Sequence, residues 1–377
     1  MKTNDTEKLL SPHAFNPNIH GLRGLAVLFV FFFHSYVVTL SAGATVPPHF
    51  LWLDKLFACF NAGVDIFFMI SGYLIMASLI RIYPVLLFLV TFLFLIAPHL
   101  HYKWTAGLTP GELFAHYISN ILLLPGVFPL PRILGTAWTL SYEFCFYFFS
   151  AAVYVFWKNK RGLSYLLLYI ALPLFLYFYP VMIGFAAGTS AYFVINRDWQ
   201  LPLFLRKIKP FLLYQSDYLA AIALLVYIVL LSLNSDTHFT GTVFYAGQAS
   251  DWLNLFSSQP VQGNHQQWLV YFATLFGAVF FIQATINKRR LAGFLQNRYL
   301  QYVGTISYSV YMWHWPLFSA MKMIVGKLLI DKLHFSFFIT YSIFTFAVLC
   351  TTLVIAHLSN VFLEKKVGRY LKQKFKA

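Results

Sequence analysis

Apolar residues along this chain do not alternate as in a half-buried strand, nor do they form the single stripe of a surface helix. They come in long blocks separated by short polar turns. A typical block is about 16 to 25 residues, which suits an α-helix crossing a hydrocarbon core of ~30 Å. A membrane barrel would instead show short alternating segments. The blocks predict spans at 22–40, 57–79, 83–98, 137–157, 163–179, 181–195, 211–233, 267–286, 301–325 and 335–359. The expected fold class is all-α, a polytopic integral membrane bundle of about ten transmembrane helices.

Basic residues orient the bundle. With the N-terminus inside, 21 of the 27 Lys and Arg fall on the inner side, leaving only Lys55, Lys103, Arg132, Lys322, Lys327 and Lys332 outside. By the positive-inside rule the N- and C-termini are both cytoplasmic. The protein is then a single transmembrane domain over 1–377, with short tails at 1–21 and 360–377. Composition agrees: of 377 residues, 59% are hydrophobic, 20% aromatic and only 10% charged, which excludes an ordinary soluble domain.

The net charge of +15 follows from basic inner loops facing an anionic lipid bilayer, so no nucleic-acid partner is expected. Three cysteines without a CxxC or a Cys/His cluster argue for no metal and no disulfide framework. The small residues at 41–44 resemble a signal-peptidase site. The apolar segment before them is too long and contains His34, so it reads as an uncleaved first helix. The outer segment 234–266 has no Lys or Arg and either covers a polar ligand or is a plain loop.

Ionisable residues inside the blocks carry the candidate chemistry. Arg23 and His34 are eleven residues apart, about three helical turns plus 20°, so they share a face about 16 Å apart along the axis. Arg23 marks an inner mouth and His34 the mid-membrane level. Asp65 in "GVDIFF", Trp138, Ser141, Tyr142 and Glu143 in "WTLSYEF", and Trp313 and His314 in "MWHWP" converge on the middle and outer half of the bilayer. Such residues face a protein interior or an aqueous cavity. A carboxylate beside an imidazole fixes its tautomer, and the ring can then accept a proton from a hydroxyl. Structural ion pairs between helices would give the same inventory. No GxxxxGK[ST], HExxH or GxSxG occurs, which removes support for nucleotide hydrolysis, zincin and hydrolase chemistry.

In order along nearly the whole chain, the Arg23-to-His34 spacing, "GVDIFFMISGYLI" (63–75), "RIYP" (81–84), "WTLSYEFCFYF" (138–148), "SYSVYMWHWPL" (307–317) and "FLEKK" (362–366) resemble the acyltransferase-3 family of bacterial membrane O-acyltransferases. The "TLSYEF" form is most similar to the exopolysaccharide-modifying branch. The resemblance implies a bacterial inner-membrane O-acetyltransferase with acetyl-CoA as acyl donor. Its acceptor would be a hydroxyl of an extracytoplasmic or lipid-linked glycan, such as exopolysaccharide or O-antigen, and polysaccharide-synthesis machinery would be a partner. Arg23 and Arg81 match the family's donor-side arginines and His34 its essential histidine. Asp65, Ser141 and Glu143 match polar positions of the core motifs.

Two departures stand out. The family usually carries a longer basic segment before "RIYP", often with a second arginine where this chain has Leu79. Either Arg289 and Arg290 share in donor binding, or the loop is shortened here. No esterase-like segment follows the last block, so transfer is expected within the membrane domain or through a separate partner.

The resulting assignment makes His34, Asp65 and Glu143 catalytic. His34 would be general base or transient acetyl carrier, and a carboxylate would orient it. Arg23, Arg81, Arg289 and Arg290 would bind CoA phosphates, while Trp138, Ser141, Tyr142, Trp313 and His314 would line the acceptor side. A proton-coupled transporter using the same set as a relay is the competing reading, and a noncatalytic scaffold a third.

Overall fold

The computed structural model describes residues 16–74, 79–96, 108–125, 130, 133–135, 137–158, 170, 182–196, 203–234 and 264–367. Among the described residues every regular element is helical: α1 (Pro17–Ser41), α2 (Trp52–Cys59), α3 (Ala62–Leu74), α4 (Leu79–Ile96), α5 (Pro110–Ile121), α6 (Ala137–Lys158), α7 (Ile183–Asn196), α8 (Leu203–Leu212), α9 (Asp217–Asn234), α10 (Asn264–Ile286), α11 (Arg290–Leu295), α12 (Arg298–Thr305), α13 (Ser307–Ile324) and α14 (Phe337–Ser359). The last two continue into π-helical turns over Val325–Lys332 and Asn360–Val367.

The first helix is the axis of the bundle. It starts where Asn16 caps it, the side chain accepting from the amides of Asn18 (2.9 Å) and Ile19 (3.4 Å), with Pro17 in the first turn. It stops before Gly43, whose φ of 106° is open to glycine at little cost. Between these signals it packs against α2, α3, α10, α11, α12, α13 and α14.

Polarity is turned inside out. Ser35, Ser309 and Thr352 are fully buried, while Phe148 and Phe346 are 72% and 69% exposed. That arrangement suits an exterior bathed in lipid, where backbone and hydroxyl groups must find partners within the protein. Among the described residues three helical stretches, Pro17–Ser41, Pro48–Leu74 and Phe337–Lys366, are long and apolar enough to cross a membrane. A fourth is added if the bent pair Arg206–Leu212 and Asp217–Leu233 forms one span.

Glycines set the closest crossings. A Cβ on Gly24 would lie 2.4 Å from the Leu300 carbonyl oxygen, and one on Gly304 2.1 Å from that of His20, so α1 and α12 touch backbone to backbone. The same holds between α3 and α7, where a Cβ on Gly72 would meet the Phe185 carbonyl at 2.1 Å and one on Gly188 the Met69 carbonyl at 1.9 Å.

Several boundaries differ from the sequence expectation for physical reasons. The 301–325 block is two helices, because the close crossing of α12 with α1 ends in a turn at Ile306 that re-aims α13 along α1. The 211–233 block begins only at Asp217. The chain bends there by 107°, and Gln283 of α10 satisfies the backbone freed by the bend. Its Nε2 donates to the Leu212 carbonyl (2.7 Å) and its Oε1 accepts from the Ser216 amide (3.1 Å). The 57–79 block opens inside the short helix α2 and jogs at Phe60 and Asn61 before α3. The helix α5 was not foreseen. It is closed by a reciprocal capping box in which the Glu112 amide donates to Thr109 Oγ1 and the Thr109 amide to Glu112 Oε2. The expected span 163–179, apart from residue 170, and most of the segment 234–266 lie outside the described residues.

Gly188→Ala is expected to destabilise the protein by about 1–3 kcal/mol, because backbone rather than a flexible side chain stands in the way. Gly111→Ala, with open space around it, is expected to leave the melting temperature unchanged or slightly raised. Thermal unfolding of the two variants in one detergent checks the contrast.

Candidate active site

A half-buried imidazole and a buried one meet across the seam between α1 and α13. His34 Nδ1 lies 3.1 Å from His314 Nε2, with ring centroids 5.1 Å apart and planes at 36°. His314 is 1% exposed, and its Nδ1 lies 3.2 Å from the Val310 carbonyl one turn back on its own helix. A carbonyl can only accept, so His314 Nδ1 carries the proton and its Nε2 presents a lone pair to His34. His34 Nδ1–H is then the donor, which leaves His34 Nε2 with the lone pair not engaged between the two rings.

Aromatic rings wall this pair. Trp315 packs edge-on to His34 at 5.1 Å, and Tyr311 lies 5.5 Å from His314. The Trp315 indole is pressed against the 133–135 segment, where a Cβ on Gly135 would come within 2.5 Å of its Nε1. The Tyr311 hydroxyl is 2.9 Å from Thr139 Oγ1, tying α13 to α6.

Toward the start of α1, Arg23 is buried at 7% exposure with its guanidinium carbon 4.3 Å from the Tyr308 ring centroid. Its Nε has no hydrogen-bond partner among the described residues. Glu143 of α6 interacts electrostatically with Arg23 and accepts from Ser71 Oγ (2.8 Å) and Tyr147 Oη (2.5 Å). Arg23 and His34 therefore both face α13, one over Tyr308 and the other against His314.

The remaining sequence candidates divide. No hydrogen bond joins Asp65 or Glu143 to His34 among the described residues. Asp65 sits in the first turn of α3 facing α9, where it accepts from Tyr227 Oη at 2.8 Å, and His314 holds the place on His34 that a carboxylate was expected to take. Ser141 donates to the Pro125 carbonyl at 2.5 Å. Trp138 packs edge-on between Phe68 and Tyr142, and Tyr142 is fully buried in the core.

Trp313 turns toward Phe88 of α4, with its buried Nε1 unpartnered among the described residues. Arg289 and Arg290 are exposed at the α10–α11 connection, beside Asp217, which accepts from the Arg290 and Leu291 amides. This connection is at the same end of the bundle as Arg23, since Asn18 Nδ2 donates to the Asn287 carbonyl at 2.8 Å. Arg81 is in the first turn of α4, and its side chain lies outside the described residues.

Tyr308, Tyr311 and Trp315 are the residues that sequence reasoning missed. They follow the i, i+3, i+7 spacing of one helical face, a signal that was present in "SYSVYMWHW".

A helical membrane bundle with an imidazole pair and a buried arginine along its central helix is the class that fold and site define. The acyltransferase-domain family matches residues 16–357, nearly the whole chain, and the protein belongs to this acyltransferase-3 family. Similar relatives are the proteins named O-acetyltransferase OatA of Staphylococcus aureus strains NCTC 8325, COL and MRSA252. Each is 25% identical over 348 residues, an alignment covering 82% of this chain and 52% of the relative. The chain thus spans about half the length of the curated relatives it matches. No solved structure matches it.

Glu143→Leu is expected to cost about 2–5 kcal/mol, since it strands the Ser71 and Tyr147 hydroxyls without their acceptor. Glu143→Gln keeps an acceptor oxygen and is expected to retain most of that stability. Denaturation midpoints of the two purified variants check the difference.

Proposed function

We propose that the protein is a membrane O-acetyltransferase that uses acetyl-CoA to acetylate a hydroxyl of an extracytoplasmic or lipid-linked glycan, such as exopolysaccharide or O-antigen. The observation that carries this reading is His34, paired with His314 of α13, on the same helix as buried Arg23. Membership of an acyltransferase family supports group transfer, and the name of the Staphylococcus aureus relatives supports acetyl as the group.

In this reading the chain forms one domain of about ten spans in the bacterial inner (plasma) membrane, with both termini in the cytoplasm, so that the Arg23 end faces the donor. Arg23 has a buried Nε with no hydrogen-bond partner among the described residues, which fits a phosphate of the donor. Arg81, Arg289 and Arg290 add charge at that mouth. Asp65 and Glu143 contribute by holding the helices and the local charge around the site: Glu143 balances Arg23, and Asp65 ties α3 to α9.

His34 does the central work. Its Nε2 takes the proton from the acceptor hydroxyl as the oxygen bonds to the thioester carbonyl carbon. The C–S bond breaks, and the proton passes to the departing thiolate. Trp315, packed on the His34 ring, keeps water from the thioester. Trp138, Ser141, Tyr142 and Trp313 shape the wall of α6 and α13 on the acceptor side. Polysaccharide-synthesis machinery supplies the acceptor.

Purified protein in nanodiscs, given radiolabelled acetyl-CoA and glycan acceptor, is expected to turn over. His34→Ala is expected to lower turnover by about 10²–10⁴-fold with folding retained. Arg23→Gln is expected to weaken donor binding about 10- to 100-fold, the range for a lost charge-assisted hydrogen bond. Wild-type turnover by His34→Ala would overturn the reading, and proton-coupled substrate flux without acetyl-CoA would replace it with a transporter.

A further inference from the structure

We infer that His314 is a positioning residue for His34, and that the two rings act as one two-imidazole base. This rests on the reading that His34 abstracts the acceptor proton. The geometry is a relay: the Val310 carbonyl accepts from His314 Nδ1–H at 3.2 Å, and His314 Nε2 stands 3.1 Å from His34 Nδ1. The Val30 carbonyl, one turn back on α1, also faces the His34 ring. The His314 nitrogen therefore accepts the Nδ1 proton of His34, which leaves the lone pair on Nε2, and the Val30 carbonyl is a second acceptor beside the ring.

The two acceptors differ in what they do after proton abstraction. When His34 Nε2 takes the acceptor proton, the ring becomes an imidazolium in an apolar setting. The Val30 carbonyl oxygen can stabilise that charge only by accepting a hydrogen bond. His314 Nε2 can take up the Nδ1 proton itself, since its own Nδ1–H stays on Val310. The charge then spreads over two rings: the pair holds the one proton taken from the acceptor, and the shift from ring to ring adds none. The proton returns to His34 Nδ1 as His34 Nε2 releases its own to the thiolate. Nothing else competes for His314 Nε2 among the described residues: Asp65 is held by Tyr227 and Glu143 by Ser71 and Tyr147. The arrangement also accounts for a fully buried histidine flanked by Tyr311 and Phe318, which a packing role alone would fill with an apolar ring.

The test uses the full chain in nanodiscs. In protein labelled with ¹⁵N-histidine, a scalar coupling across the N–H···N hydrogen bond between His34 Nδ1 and His314 Nε2 is expected. Its absence in folded protein overturns the inference without reference to activity. Kinetically, His314→Phe is expected to lower kcat by roughly 10²-fold or more while KM for acetyl-CoA stays within about twofold. His314→Gln places an acceptor oxygen near the former Nε2 and is expected to recover at least about tenfold of that loss. Equal kcat in the Phe and Gln variants, or wild-type kcat in His314→Phe, overturns it. If the Phe variant does not fold, the coupling and the kcat of the Gln variant decide. Wild-type turnover by His34→Ala would instead remove the function reading, a separate failure.

Discussion

A polar stripe carried through the centre of an apolar bundle has to be satisfied from within, and the architecture around α1 follows from that constraint. Water is scarce at this depth, so each polar side chain on α1 needs a partner on a neighbouring helix or on its own backbone. Ser35 meets Thr345 at 2.5 Å, Thr39 donates to the Ser35 carbonyl at 2.8 Å, Arg23 lies over Tyr308, and His34 meets His314. Three of these four partners come from α13 and α14. Both helices must lie close against α1, and the glycine crossing of α1 with α12 delivers α13 to that position.

The same constraint separates charge from the reacting imidazole. Burying an arginine and a carboxylate costs several kcal/mol each unless they are compensated, and a half-buried second carboxylate adds to the demand. Arg23 and Glu143 interact toward one end of α1, while Asp65 is held by a tyrosine on α9. The histidines are left with each other and with aromatic walls. A neutral imidazole pair is less costly to bury than a carboxylate–imidazolium pair, and it still provides one lone pair and one route for charge to spread. This division suits a transferase that grips an anionic donor at one depth and handles a proton at another.

Much of this was legible in the sequence where a rule is local. The Arg23–His34 stripe followed from helical pitch, and both residues do face α13. The helical blocks at 137–157, 181–195 and 335–359 lie within one to a few residues of α6, α7 and α14. What failed to show were features decided by contact. Gln283 supports a bend 67 to 71 residues earlier in the chain, so hydropathy alone read through it. The break at Ile306 depends on the approach of α1 to Gly304, which no window of α12 and α13 reveals. Likewise, a list of buried histidines and carboxylates does not say which of them meet. Chemical habit suggested a carboxylate for His34, whereas the turn of α13 brought His314.

The central claim is that an acetyl group passes from a donor on one face of the membrane to a hydroxyl on the other through the His34 site. The most direct measurement uses sealed proteoliposomes in which the Arg23 end faces outward, with acetyl-CoA supplied only outside and glycan acceptor enclosed in the lumen. The account predicts acetylated glycan in the lumen at a rate that falls by at least about 10²-fold in His34→Ala. Product formed only when donor and acceptor share one side, or lumenal product at an undiminished rate in His34→Ala, would contradict it.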